Sequence, residues 1–262
     1  MRLPNLLIVG AQKCGTTWLH SCLRKSGHVF GSSPKELNFF NRRNFNARLD
    51  SYAANFPEKI GATYYLESTP HYFRLPEPNR DIADRICQTL DDPRIIVIFR
   101  NPVDRYESAV IHHMMKGRIP YDPYIDWIRE DLGLTKLGQY AEILSHWKTI
   151  FPEMGVFFYD DIVLDPMSFV DSVFQFLSIK NDLSSSDIDF RTNDKDRKIA
   201  GIQIGLMQIT NDGQGNPPGD ASSWSRMPKL TKRIRVDLRD FFREDVEKLE
   251  TMTGRDLTSW KT

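Results

Sequence analysis

Leu6-Leu7-Ile8-Val9-Gly10-Ala11-Gln12-Lys13-Cys14-Gly15-Thr16-Thr17-Trp18-Leu19 is the stretch whose reading decides the fold class. Leu6 to Val9 is an unbroken apolar run, the pattern of a short strand covered on both faces. Gly10 to Gly15 reads as a turn, and beyond it Trp18, Leu19, Cys22 and Leu23 recur at helical spacing. A strand, a glycine-bounded turn and a helix in that order form an anion cradle. Backbone amides of the turn converge on one point, and the helix N-terminus adds favourable dipole charge there.

Outward from this unit the alternation continues. Ala62 to Leu66 is a second strand, leading into Glu67-Ser68-Thr69-Pro70. Ile95 to Phe99 is the strongest strand signal in the chain and is closed by Arg100-Asn101-Pro102. Pro102 suits a first helical turn, and Val103, Tyr106, Val110 and Met114 follow at helical spacing. Val156 to Tyr159 is a further strand, with a helix after it around Phe169 to Leu177. Strands alternating with helices predict an α/β fold, a P-loop-like three-layer sandwich with a central parallel sheet flanked by helices. Residues 181 to 228 are rich in Asn, Asp, Ser, Gly and Pro, and 211 to 224 read as a loop. A charged amphipathic helix is expected over Lys229 to Met252, with Leu238, Phe241, Phe242, Val246 and Leu249 as its buried stripe. No repeat or linker interrupts the chain, so residues 1–262 are expected to form a single domain.

Composition narrows the function. Lys plus Arg number 35 and Asp plus Glu 35, a formal net charge of zero, so global charge gives no argument for nucleic acid and any anion site must be local. The run Leu6 to Val9 is far too short to span a membrane and is not the core of a signal peptide. Cys14, Cys22 and Cys87 offer neither a disulfide framework nor paired metal-ligand spacing. The expectation is a cytoplasmic catalytic domain with reduced thiols and no metal, standing alone or cut from a larger protein.

The glycines Gly10 and Gly15 have the spacing of a nucleoside-triphosphate loop, yet Thr16-Thr17 stands where Lys-Ser/Thr should follow, and a lysine, Lys13, comes two residues before the second glycine. After Phe99, where an ATPase of this architecture commonly places a magnesium-binding Asp, the chain has Arg100. Both departures have one physical reading: an anionic group neutralised by Lys13 and Arg100 rather than by a metal ion. A sulfuryl donor suits such a pocket, since its transferring group carries less charge than a terminal phosphate. A nucleotide kinase and a non-catalytic nucleotide-binding P-loop protein are the alternatives. The displaced lysine and the missing Asp argue against the first, and the presence of a base would argue against the second.

Gln12-Lys13-Cys14-Gly15-Thr16-Thr17-Trp18 resembles the 5′-phosphosulfate loop of sulfotransferases that use 3′-phosphoadenosine 5′-phosphosulfate (PAPS). Ile98-Phe99-Arg100-Asn101-Pro102-Val103-Asp104-Arg105-Tyr106-Glu107-Ser108 is similar to their 3′-phosphate motif, a strand ending in Arg with Ser eight residues later. The resemblance implies transfer of a sulfuryl group from PAPS to an acceptor hydroxyl or amine. It also implies donor contacts from these loop residues, Arg100 and Ser108, no metal, and adenosine 3′,5′-bisphosphate as product. It spans most of the chain and is specific at the two donor motifs.

Lys35-Glu36-Leu37-Asn38-Phe39-Phe40 resembles the segment carrying the acceptor-activating glutamate in heparan-sulfate-type members, which implies Glu36 as general base. The residues alone favour an exposed Glu beside Lys35 in a loop, with Phe39 and Phe40 as plain core. His71 is the rival base, because small-molecule sulfotransferases tend to use histidine, and His20 is a second. His112-His113 read as a solvated helix face, with a place facing the acceptor cleft as the alternative. Leu66 to Phe73 is similar to a glycosaminoglycan-sulfotransferase stretch that usually has a catalytic lysine at the place of Ser68, and Asn38 replaces a histidine common before the aromatic pair. Arg197 and Lys198 lie where relatives place a loop that closes on the donor, and are candidate 3′-phosphate ligands or a solvated charge run. A carbohydrate-type acceptor is favoured, with small molecules or lipids open; the absent lysine at Ser68 and the neutral net charge weigh against it.

Overall fold

The computed structural model describes residues 1–190 and 227–262. They fall into two compact units. The first comprises Met1–Arg100 and Tyr140–Phe190; the second comprises Asn101–Gln139 and the described part of the remainder of the chain.

The first unit is an α/β structure around five parallel strands: β1 (Leu6–Gly10), β2 (Val29–Gly31), β3 (Tyr64–Ser68), β4 (Arg94–Phe99) and β6 (Gly155–Phe158), in the order β2-β3-β1-β4-β6. Central β1 pairs Leu6 with Leu66 on one side and with Arg94 on the other. Leu6, Leu7, Ile8 and Val9 are wholly buried. Successive residues point to opposite faces, so both faces of the strand are covered, as the apolar run requires. The sheet is flanked by α1 (Thr16–Leu23), α2 (Leu49–Ala53), α3 (Ile82–Thr89), α5 (Tyr140–Ile150), α6 (Tyr159–Leu164), α7 (Pro166–Phe176) and α8 (Ser185–Ile188). Asp165 caps α7 through the Met167 and Ser168 amides, with Pro166 in its first turn.

Because all strands run the same way, the segments that follow them emerge at one edge of the sheet. The strand order reverses direction about β1, the place where open α/β sheets bind ligands outside the carboxyl ends. The loop after β2 is anchored from behind. Phe39 and Phe40 are buried, Phe39 stacks on Tyr52 at 3.9 Å, and Phe40 packs against Phe45 and Tyr72. Truncating either phenylalanine to Ala would cost about 3–5 kcal/mol.

In the second unit α4 (Pro102–Met115) starts at Asn101, whose side chain accepts from the Val103 amide, and buries Val103, Tyr106, Val110 and Met114 as their spacing predicts. The strands β5 (Tyr124–Ile125) and β7 (Lys229–Leu230) form a parallel pair. The long helix Lys232–Thr253 begins three residues later than expected, behind a Thr231 cap, because Lys229 and Leu230 are taken up in that pair. Its stripe is Ile234, Leu238, Phe242, Val246 and Leu249. Phe241 is 47% exposed, contrary to expectation, since it sits about 100° around the helix from Phe242. Arg235 bridges Asp104 at 2.6 Å and Glu107 at 2.8 Å, tying this helix to α4. No helix among the described residues is long and apolar enough to cross a membrane.

The second strand lies two residues later than the sequence suggested, Tyr64–Ser68 rather than 62–66, so Glu67 and Ser68 belong to the strand itself. Tyr159 opens α6 instead of closing β6. His113 is buried, not solvated.

Candidate donor and acceptor site

The turn after β1 is built to approach something closely. A Cβ at Gly10 would collide with the Cβ of Phe73. Gly15 takes φ 89 and begins α1 with no side chain capping the helix. A Cβ on Gly15 would lie 3.0 Å from the Tyr159 ring and 3.1 Å from Ile162. The first-turn amides of α1 are thus left without a side-chain cap, which is the requirement for an anion at this end. Lys13 also has a left-handed backbone, φ 70. A non-glycine residue held there costs of order 1 kcal/mol and points to a site where conformation matters.

Arg100, the first residue beyond β4, reaches this turn. Its guanidinium stands 4.7 Å above the Tyr159 ring, and one Nη lies 3.5 Å from the Lys13 carbonyl. The Arg100 side chain and the Lys13 backbone therefore meet at the carboxyl edge of the sheet. Tyr159, which the sequence reading overlooked, forms the wall that both Gly15 and Arg100 touch; an aromatic residue directly after a strand in this fold was the available signal. Cys14 is buried, with its thiol 3.6 Å from the Gln12 carbonyl and 3.5 Å from the Tyr140 hydroxyl. Trp18 is buried beside Phe169 and Phe190. Thr16 is buried and Thr17 exposed. Ser108 lies half-buried on α4 in the other unit. Arg197 and Lys198 fall outside the described residues.

Glu36 follows β2 with φ 66, and its amide donates to the Ser68 carbonyl at 3.1 Å, which ties this loop to the end of β3. Its carboxylate is 42% exposed and receives the Lys35 ammonium at 2.9 Å. Lys35 itself was missed as a candidate. Its side chain is only 15% exposed, and burial lowers its pKa against the raising influence of Glu36 and, more weakly, of Glu67. Glu67 is fully buried and accepts hydrogen bonds from Tyr52, Thr69 and Tyr72 at 2.8, 2.6 and 3.0 Å. Burial pushes its pKa up, and the three hydroxyls partly offset that. Ser68, where the family resemblance led to an expected lysine, is buried and shares a hydrogen bond of 2.8 Å with His20 Nδ1. His20 is buried, and desolvation, with help from Lys35 and Arg24, lowers its pKa to about 3. A ring so disposed to stay neutral and so enclosed is a poor proton acceptor for a substrate. His71 follows β3 and lies 3.1 Å from the Gln12 amide.

The fold is that of a P-loop-like α/β protein, with the turn that carries Lys13 and the residue Arg100 together at the carboxyl edge of its parallel sheet. A family model described as the sulfotransferase domain matches residues 3–253, and the chain belongs to that family. Its members draw the sulfuryl group from PAPS. The human bifunctional heparan sulfate N-deacetylase/N-sulfotransferase 2 is 27% identical over 99% of this chain and 31% of its own length. The mouse heparan sulfate glucosamine 3-O-sulfotransferase 3B1 is 27% identical over 97% of this chain and 64% of its own. The chain thus spans 31% of the first relative's length and 64% of the second's. A sulfotransferase from Alicyclobacillus acidocaldarius shares the fold, with a TM-score of 0.70 and 22% identity over the whole of both chains.

Proposed function

We propose that the chain transfers a sulfuryl group from PAPS to a hydroxyl or amine of a carbohydrate-type acceptor. The observation that carries this reading is the approach of Arg100 to the Lys13 turn at the uncapped start of α1. The residues fit the donor: a Cβ at Gly10 would collide with Phe73, one at Gly15 would crowd Tyr159 and Ile162, and Lys13 and Arg100 are cations by residue type.

The donor supplies an electrophilic sulfur and a phosphate leaving group. Lys13 and the α1 amides hold the 5′ end, and the Lys13 ammonium balances charge that develops on the leaving oxygen. Arg100 anchors the 3′-phosphate and sets the register of the donor; Ser108 is assigned to that phosphate by the motif resemblance alone. The Glu36 carboxylate takes the proton that the acceptor loses as its oxygen or nitrogen bonds to sulfur. Lys35 holds that carboxylate in place and brings a cation to the vicinity of Glu67.

A carbohydrate acceptor is supported by the names of the relatives above and by the Glu36 segment, although the Ser68 side chain is turned to His20 rather than lysine-like. Calorimetric titration with adenosine 3′,5′-bisphosphate and with ATP tests the donor half. Micromolar binding of the first and at least tenfold weaker binding of the second, unchanged by EDTA, is the expected outcome. Preference for ATP, or a strict need for magnesium, would overturn it. Transfer from labelled PAPS to desulfated glycosaminoglycan oligosaccharides tests the acceptor half.

A further inference from the structure

The His71 ring is engaged from two sides. Gln12, in the turn after β1, brings its side-chain amide to 3.1 Å from Nε2. Arg74 donates from Nε to the His71 carbonyl at 2.8 Å, and its Nη2 stands 3.4 Å from Nδ1. A guanidinium has no lone pair and can only donate, so Nδ1 is the acceptor and a neutral ring carries its proton on Nε2. That Nε2–H must then meet an acceptor. The Gln12 amide supplies one when its Oε1 faces the ring, the orientation related to the other by a half-turn about the last side-chain bond. The opposite orientation sets an amide N–H against a ring N–H, or a ring N–H against Arg74.

This chain of contacts leaves His71 without the function of a base, since one nitrogen holds a proton and the other receives the guanidinium. It also joins two loops of neighbouring strands. Gln12 immediately precedes Lys13, whose φ of 70 is not self-sustaining, and Gln12 is only 7% exposed. We propose that His71, oriented by Arg74, is a positioning residue for the donor: through Gln12 it holds the turn in the shape that presents Lys13. The inference rests on the reading of that turn as the donor loop.

The test compares His71→Ala, His71→Gln and Gln12→Ala in the whole chain. Affinity for adenosine 3′,5′-bisphosphate is read by calorimetry, KM and kcat with PAPS by transfer assay, and Tm as control. Glutamine places an amide nitrogen close to where Nε2 stands, so it restores the donor to Gln12 but cannot restore a base. His71→Ala and Gln12→Ala are expected to weaken nucleotide binding about tenfold and to raise KM more than they lower kcat. His71→Gln should stay within about threefold of wild type in all three quantities. A His71→Gln variant as inactive as His71→Ala, with nucleotide affinity intact in both, would overturn the inference and return the ring to the role of base. Should His71→Ala fail to fold, Gln12→Ala with wild-type affinity would overturn it equally. Wild type that binds no adenosine 3′,5′-bisphosphate would instead strike the donor-loop reading itself.

Discussion

At the scale of single residues, the two side chains assigned to the chemistry, Lys13 and Glu36, both sit at left-handed backbone positions, φ 70 and φ 66. Removing the ammonium should cost transition-state stabilisation and little stability: Lys13→Ala is expected to lower kcat roughly 100- to 1,000-fold with Tm unchanged or raised. Steady-state transfer assays beside thermal melts check this, and normal turnover would remove Lys13 from the mechanism. Glu36→Gln keeps the shape and removes the proton acceptor. It should lower kcat by about 100-fold or more while leaving the affinity for adenosine 3′,5′-bisphosphate within about threefold. An unaffected rate would eliminate Glu36 as base. Lys13 and Arg100 were nameable from the sequence because each stands shortly beyond an apolar run, whereas Glu36, after Gly31-Ser32-Ser33-Pro34-Lys35, was named only through the resemblance of its segment. Lys35, Arg74 and Tyr159 were not. Their importance comes from whom they touch, and a lysine beside a glutamate has the same appearance whether exposed or buried.

At the scale of elements, the turn from β1 into α1 is the feature with the least tolerance. Gly15 needs a positive φ and has Tyr159 and Ile162 against it. Gly15→Ala should destabilise the protein by about 1–3 kcal/mol and weaken nucleotide binding, since relief of either strain moves the first-turn amides. Chemical denaturation and nucleotide titration of the variant measure the two effects, and a fully wild-type variant would mean the turn is not under constraint. The strands β1, β4 and β6 and the helix α4 were readable because long apolar runs or strict helical spacing leave one period. Three-residue β2 was not readable: it is shorter than any window in which alternation is visible, and β3 with its continuation decides where it lies. The start of the C-terminal helix was misjudged for a related reason. Lys229 and Leu230 pair with Tyr124 and Ile125, more than a hundred positions away, and no local pattern announces that.

At the scale of the whole molecule, buried titratable groups shape the dependence of stability on pH. His20 has a folded pKa of about 3 against an ordinary 6.5, with burial as the main cause. Below about pH 6.5 the unfolded chain takes up a proton that the folded chain refuses, so stability is lost as pH falls and the loss levels off near pH 3. Relative to a His20→Gln variant, wild type should therefore lose up to about 1.4 kcal/mol per pH unit across that window. Denaturant melts of the pair from pH 7 to pH 4 check the slope, and parallel curves would show that His20 is solvated. Glu67 acts in the opposite sense, its raised pKa favouring the folded state as pH falls through the carboxylate range, so the comparison with the variant isolates the histidine. The α/β class was legible at this scale from alternation alone, whereas the division into two compact units was not, because a sequence shows no contact density.

The residue assigned to receive the acceptor's proton hangs from β2, one of the two edge strands, while the cations assigned to the donor hang from β1 and β4 nearer the middle. Mutational drift at the rim can therefore retune what is sulfated without disturbing what supplies the sulfur. Descendants of such a scaffold can diversify their targets and keep one shared currency of activated sulfate.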